Sequence, residues 1–178
     1  MSTSMPFVRT LIAASILGSF AAVATLSAAE SPTATVDFSP PAQAKLERYG
    51  KGESAALQAR IAAAVVSACS KAKVPAGTTF AITVLDVAPT HPTREQLADD
   101  PALDPVRTRY LGGADLTGSL RDSHSQVLAT VQHRYFPPSL RWRSRSFDSW
   151  ADANVAIEQF AQQMGAACRR LPGNSTAG

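Results

Sequence analysis

The chain has 178 residues, of which 45% are hydrophobic and 17% charged, a balance that excludes both a disordered tail and a polytopic membrane protein. Its two Cys cannot build a four-thiolate zinc site or a disulfide-rich miniprotein. A net charge of +3 does not call for nucleic acid as a partner.

Residues 1–29 read as a secretory signal. A polar start carries a single cation, Arg9, before an apolar run over residues 10–24, and Ser27, Ala28 and Ala29 form a small-residue exit before Glu30. Cleavage there leaves 149 residues with a net charge of +2. The alternative is an uncleaved N-terminal anchor in the inner membrane, since roughly 20 apolar residues span a bilayer. Gly18 and the serines and threonines favour cleavage, which leaves no integral membrane segment. Ala fills nearly a fifth of the chain and Arg outnumbers Lys thirteen to four. That bias is usual for GC-rich bacterial genomes, so the expected compartment is the periplasm.

Residues 30–52 are rich in Pro, Ser, Thr and Gly and read as a linker, ordered only if it docks on the body. Over residues 54–72 the apolar positions Leu57, Ile61, Ala64, Val65, Ala68 and Ala72 make one helical stripe, which Pro75 and Gly77 close. The period then becomes two. Phe80, Ile82 and Val84 alternate with Ala81, Thr83 and Leu85, and Leu116, Gly118 and Leu120 alternate with Asp115, Thr117, Ser119 and Arg121. Val127, Ala129 and Val131 alternate with Leu128, Thr130 and Gln132, and the four residues 122–125 join the last two strands as a hairpin. Gly118 suits either a close helix approach or a bulge.

The loop 89–112 is long enough to suggest function or mobility, and Thr93 and Gln96 have the spacing of a capping box within it. Ser149 and Asp152 repeat that spacing ahead of a last helix, whose stripe is Trp150, Ala153, Ile157, Phe160, Met164, Cys168 and Leu171. The order helix, three antiparallel strands, helix predicts an α+β two-layer sandwich with both helices on one face of a small sheet. One domain covers residues 53–172, with a disordered tail at 173–178.

Cys168 lies on the apolar stripe of the last helix and Cys69 on the flank of the first. In an oxidising compartment a Cys69–Cys168 disulfide between neighbouring helices is the favoured reading, with two buried thiols as the alternative. No Cys-x-x-Cys motif supports a catalytic thiol.

The residue types for chemistry are sparse. His91, His124 and His133 lack the spacing of paired metal ligands, so neither a metal nor a cofactor is expected. Asp122, Ser123 and His124 carry the side chains of a hydrolase triad in one turn, though sequence neighbours rarely supply that geometry. Gly112 and Gly113 read as a flexible strand entry and not as a phosphate cradle, and Asp99, Asp100 and Asp104 as a solvated loop face without calcium-loop spacing. The most suggestive stretch is 139–147. If it is extended, Arg141, Arg143 and Arg145 line one side and Leu140 and Trp142 the other. Such a strip suits an envelope protein, an anionic lipid or an acidic glycan.

The stretches 86–93, 101–104, 112–116, 120–123 and 127–129 together resemble a bacterial domain-of-unknown-function family of small exported proteins, many of them assigned as outer-membrane lipoproteins. The resemblance covers residues 54–171 and is densest over 86–135. This chain lacks the lipobox Cys of many relatives, and His124 and Ser125 stand where the family's turn glycine is expected. The resemblance implies export and no established activity, so no catalytic residue carries over. Helices on a small sheet also resemble, at the level of fold, accessory domains of periplasmic assembly and transport systems. The expectation is therefore a non-enzymatic binding or accessory protein of the bacterial cell envelope. The alternatives are a small hydrolase using the Asp122, Ser123 and His124 turn, or an inhibitor of an envelope enzyme.

Overall fold

The computed structural model describes residues 32–72, 74–141 and 145–171. The proposed signal, the tail at 173–178, Trp142 and Arg143 lie outside the described residues. The elements in chain order are β1 (Thr33–Phe38), α1 (Pro40–Glu47), α2 (Glu53–Cys69), β2 (Thr79–Ala88), α3 (Arg94–Asp99), β3 (Gly113–Arg121), β4 (Val127–Tyr135) and α4 (Ala151–Arg170). They form a two-layer α+β sandwich. A four-stranded sheet ordered β1-β2-β3-β4 carries α2 and α4 side by side on its apolar face.

The three expected strands pair antiparallel as the alternation requires, and a fourth is added. It comes from residues 30–52, whose composition suggested a linker. Ala34, Val36 and Phe38 turn toward the core in line with Phe80, Ile82 and Val84, and β1 pairs parallel with β2. A parallel neighbour needs a crossover connection, and α1 and α2 supply it. Ser39 caps α1, accepting from the Ala42 amide at 3.4 Å, and Pro40 and Pro41 occupy the first turn, where a missing N–H costs nothing. The prolines that argue for a linker thus start a helix.

Bulges at Leu85 and Leu128 shift the simple alternation. Past Leu128, Ala129 and Val131 face the helices, whereas Val127 turns outward and is 48% exposed. Gly118 is not a bulge. A Cβ there would lie 2.8 Å from the Phe160 ring, so the bare backbone is what lets α4 settle onto β3. Gly165 does the same between the helices, where a Cβ would meet the Ala68 carbonyl oxygen at 2.8 Å. Every residue of the expected α4 stripe is buried, from Trp150 to Leu171.

Cys69 and Cys168 form the disulfide, with Cα atoms 5.8 Å apart and a sequence separation of 99. The bond joins the end of α2 to the end of α4. A loop of this length removes enough unfolded-chain entropy to stabilise the fold by about 4 to 5 kcal/mol. A variant carrying Cys69→Ala and Cys168→Ala should lose at least about 3 kcal/mol in urea unfolding. A loss below about 1 kcal/mol would mean that the cross-link hardly constrains the unfolded chain.

The β3–β4 hairpin contains the one positive-φ non-glycine among the described residues, Ser125 at φ 63°. A Cβ in that left-handed region is costly. Ser125→Gly should therefore raise the stability by up to about 1 kcal/mol, read as a higher urea midpoint at unchanged slope. A lower midpoint would show that Ser125 makes contacts worth more than its backbone strain.

Candidate functional site

The residues that could carry chemistry gather at two ends of the sheet. At one end, the 89–112 loop folds back on the start of α4. The Thr90 amide donates to the Ser149 carbonyl at 2.6 Å and the Tyr110 amide donates to the Thr90 carbonyl at 2.9 Å. Thr90 Oγ1 donates to Asp152 Oδ2 at 3.0 Å and accepts from the Asp152 amide at 2.9 Å. The first-turn amide of α4 is thus satisfied from another loop. The capping box expected from Ser149 and Asp152 does not form, because Ser149 Oγ donates instead to the Pro92 carbonyl at 3.0 Å. The box at Thr93 and Gln96 does form and starts α3, while Thr93 Oγ1 also donates to the Tyr49 carbonyl.

The same end is closed by aromatic and acidic contacts. Trp150 Nε1 donates to Glu53 Oε2 at 2.6 Å, and its ring meets Tyr49 edge-on at 5.7 Å. Gly112 and Gly113, expected to be a flexible strand entry, are buried. Gly113 has φ 150°, and a Cβ at Gly112 would overlap Thr90. The long loop is therefore tied down near its start, at Thr90, Pro92 and Thr93, and near its end, at Tyr110 and Gly112.

His91 sits inside this end. It is 2% exposed, neither ring nitrogen has a hydrogen-bond partner, and the ring tilts against Phe147 with centroids 6.2 Å apart. Phe147 itself is 70% exposed, the most of any large apolar side chain described. Leu140 is 51% exposed in the same connection, and Arg141 and Arg145 are also exposed. Of the expected binding strip, the described part thus presents two cations and two apolar side chains to the outside.

At the opposite end is the hairpin tip. Asp122 Oδ1 accepts from the His124 amide at 2.8 Å and the Gln126 amide at 2.9 Å, so it builds the turn. Ser123 Oγ lies 3.4 Å from His124 Nδ1, and that nitrogen lies 4.0 Å from Asp122 Oδ2. The His124 side chain is 88% exposed. A hydroxyl and an imidazole so open to water have no enclosing wall to hold a substrate, and the carboxylate is already committed to the backbone.

The other candidates are also accounted for structurally. His133 is held on β4 between two glutamines of α4. Gln163 Nε2 donates to Nδ1 at 2.9 Å, and Nε2 faces Gln159 Oε1 at 2.9 Å, which fits the neutral Nε2–H tautomer. Asp104 Oδ1 accepts from the amides of Arg107 and Val106 at 2.7 and 2.8 Å, and these two bonds hold its carboxyl below its ordinary range. Asp100 Oδ1 accepts from the Ala102 amide at 2.9 Å. No cluster of three or more metal-ligating side chains occurs among the described residues. Lys45 pairs with Asp86 at 2.5 Å and Arg134 with Asp115 at 3.1 Å, so the two carboxylates facing each other across β2 and β3 each have a cation.

Comparison with protein-family models, curated proteins and solved structures finds no match. Among the described residues, no helix is long and apolar enough to cross a membrane.

The unpaired imidazole of His91 leads to a direct test. A buried polar group without a partner costs about 1 to 3 kcal/mol, whereas an apolar side chain of similar size avoids that cost. His91→Leu should keep or raise the melting temperature. A fall of several degrees would mean that the ring nitrogens find a partner in solution.

Proposed function

We propose that this chain is an exported, non-catalytic binding protein of the bacterial cell envelope, and that it meets an anionic partner through residues 139–147. The observation that carries this reading is the contrast around Phe147. Thr90 and Ser149 bond inward, while Phe147 and Leu140 stand exposed beside Arg141 and Arg145. An apolar ring beside cations suits a surface that offers both anionic groups and something to cover the ring, as an acidic protein, an acidic glycan or a membrane interface does. The buried Cys69–Cys168 disulfide is compatible with an extracytoplasmic location, where such bonds persist. The resemblance to exported envelope proteins points the same way. The open turn at Asp122, Ser123 and His124 supports no hydrolase, and nothing in the fold favours an enzyme inhibitor over other binding roles.

The test is capture from crosslinked envelopes using tagged wild type and a triple variant, Arg141→Gln, Arg143→Gln and Arg145→Gln. The triple variant should lose its envelope partner while keeping the wild-type melting temperature. Equal capture by both proteins would remove the strip from the binding surface. A lower melting temperature in the variant would make the strip part of the fold. Flotation with vesicles rich in anionic lipid separates the sources, because only a membrane partner carries the protein upward.

A further inference from the structure

The irregular connections 89–112 and 136–150 leave the same end of the sheet. Ala88 pairs with Gly113 and Ala114 with Tyr135, so β2, β3 and β4 all reach that end together. Thr90 then joins the two connections, its amide donating to the Ser149 carbonyl and its carbonyl accepting from the Tyr110 amide. Leu111 follows Tyr110 directly, and Phe147 lies two residues before Ser149, with its ring against His91.

The exposed apolar side chains collect here. Among the described residues five large ones are exposed, and four of them, Val106, Leu111, Leu140 and Phe147, belong to these connections. Each has an arginine within two residues. Arg107 and Arg109 stand between Val106 and Leu111, and Arg141 and Arg145 between Leu140 and Phe147. All four arginines are exposed, and none is in an ion pair among the described residues. Neither 105–111 nor 137–147 contains an acidic residue. The flanking acids are engaged elsewhere. Asp104 accepts from the Val106 and Arg107 amides, and Asp148 from Arg60, Asn154 and the Trp150 amide.

We propose that this end of the sheet docks on a membrane, with both connections resting together on an anionic lipid surface. The inference rests on the binding reading above and names its partner. The four apolar side chains come from two separate irregular segments and are 46 to 70% exposed, so each stands out singly. A protein partner must offer a shaped pocket for each such side chain, whereas a fluid headgroup layer yields to a convex outline and covers them all. An acidic glycan answers the cations but leaves most of the apolar side chains in water. On an anionic bilayer the arginines lie at the level of the lipid phosphates while Phe147 and Leu111 reach the acyl boundary.

Cosedimentation with two kinds of vesicle tests the proposal, phosphatidylcholine alone and phosphatidylcholine mixed equally with phosphatidylglycerol. The chain from Glu30 onward holds every described element and is used with its disulfide intact, so that the apolar run at 10–24 does not contribute. It should bind the mixed vesicles and not the neutral ones. Arg107→Gln with Arg109→Gln lies outside the strip 139–147 and should weaken binding by about tenfold or more, since each cation near an anionic surface is worth about fivefold. Leu111→Ser with Phe147→Ser leaves the charge unchanged and should also weaken binding by about tenfold or more. If that pair lowers the melting temperature, Val106→Ser with Leu111→Ser takes its place with the same expected loss. Wild type that leaves the mixed vesicles unbound overturns the proposal. Envelope capture that still depends on Arg141, Arg143 and Arg145 would then keep the binding reading, with a protein or glycan as the partner. Vesicle binding indifferent to the apolar pair overturns the proposal too, because charge alone then explains it. Binding indifferent to Arg107 and Arg109 overturns it by removing the 89–112 connection from the surface.

Discussion

Gly118 opens a space on β3 into which the Phe160 ring fits, and the depth at which α4 can then sit governs much of the domain. Close seating buries the whole stripe from Trp150 to Leu171 against the sheet. It also brings α4 against α2, where Gly165 allows contact with the Ala68 backbone and the disulfide locks the two helix ends. Interiors pack as densely as organic crystals, so a helix held this closely has little freedom to shift. The start of α4 is held from outside, by Thr90. Loop 89–112, helix α2 and the inner faces of β3 and β4 therefore all bear on this one helix.

That arrangement separates the molecule into surfaces of different character. The end near Thr90 and His91 turns its polar groups inward and leaves Phe147, Leu140 and two arginines facing out. The hairpin tip presents Asp122, Ser123 and His124 to solvent, with Asp122 spent on turn amides. His91 aside, the candidate reactive groups are either exposed singly or engaged in structural bonds. The proposed binding role rests on this distribution.

The helical stripes and the three alternating strands were legible because they depend on short-range period. Leu57, Ile61 and Val65 repeat every four residues whatever lies beside them, and the cysteines fall on facing positions once the helices are placed. Strand β1 was hidden because a parallel partner lies a full crossover away, and the prolines after it look the same whether they open a helix or fill a linker. The cap at Ser149 failed for a similar reason. A local spacing was outcompeted by Thr90, about sixty residues earlier, which reaches the same amide. Phe147 gave no periodic signal at all, since exposure in an irregular segment depends on what the rest of the fold covers.

If α4 is the piece on which the rest depends, its amides should open only when the whole domain unfolds. Native-state hydrogen exchange on the oxidised protein measures this directly. The account predicts that amides of residues 156–165 and their β3 neighbours are the slowest and share one free energy of opening, equal to that of global unfolding. Exchange of α4 through a separate, lower-energy opening, while β1 and α2 stay protected, would contradict it.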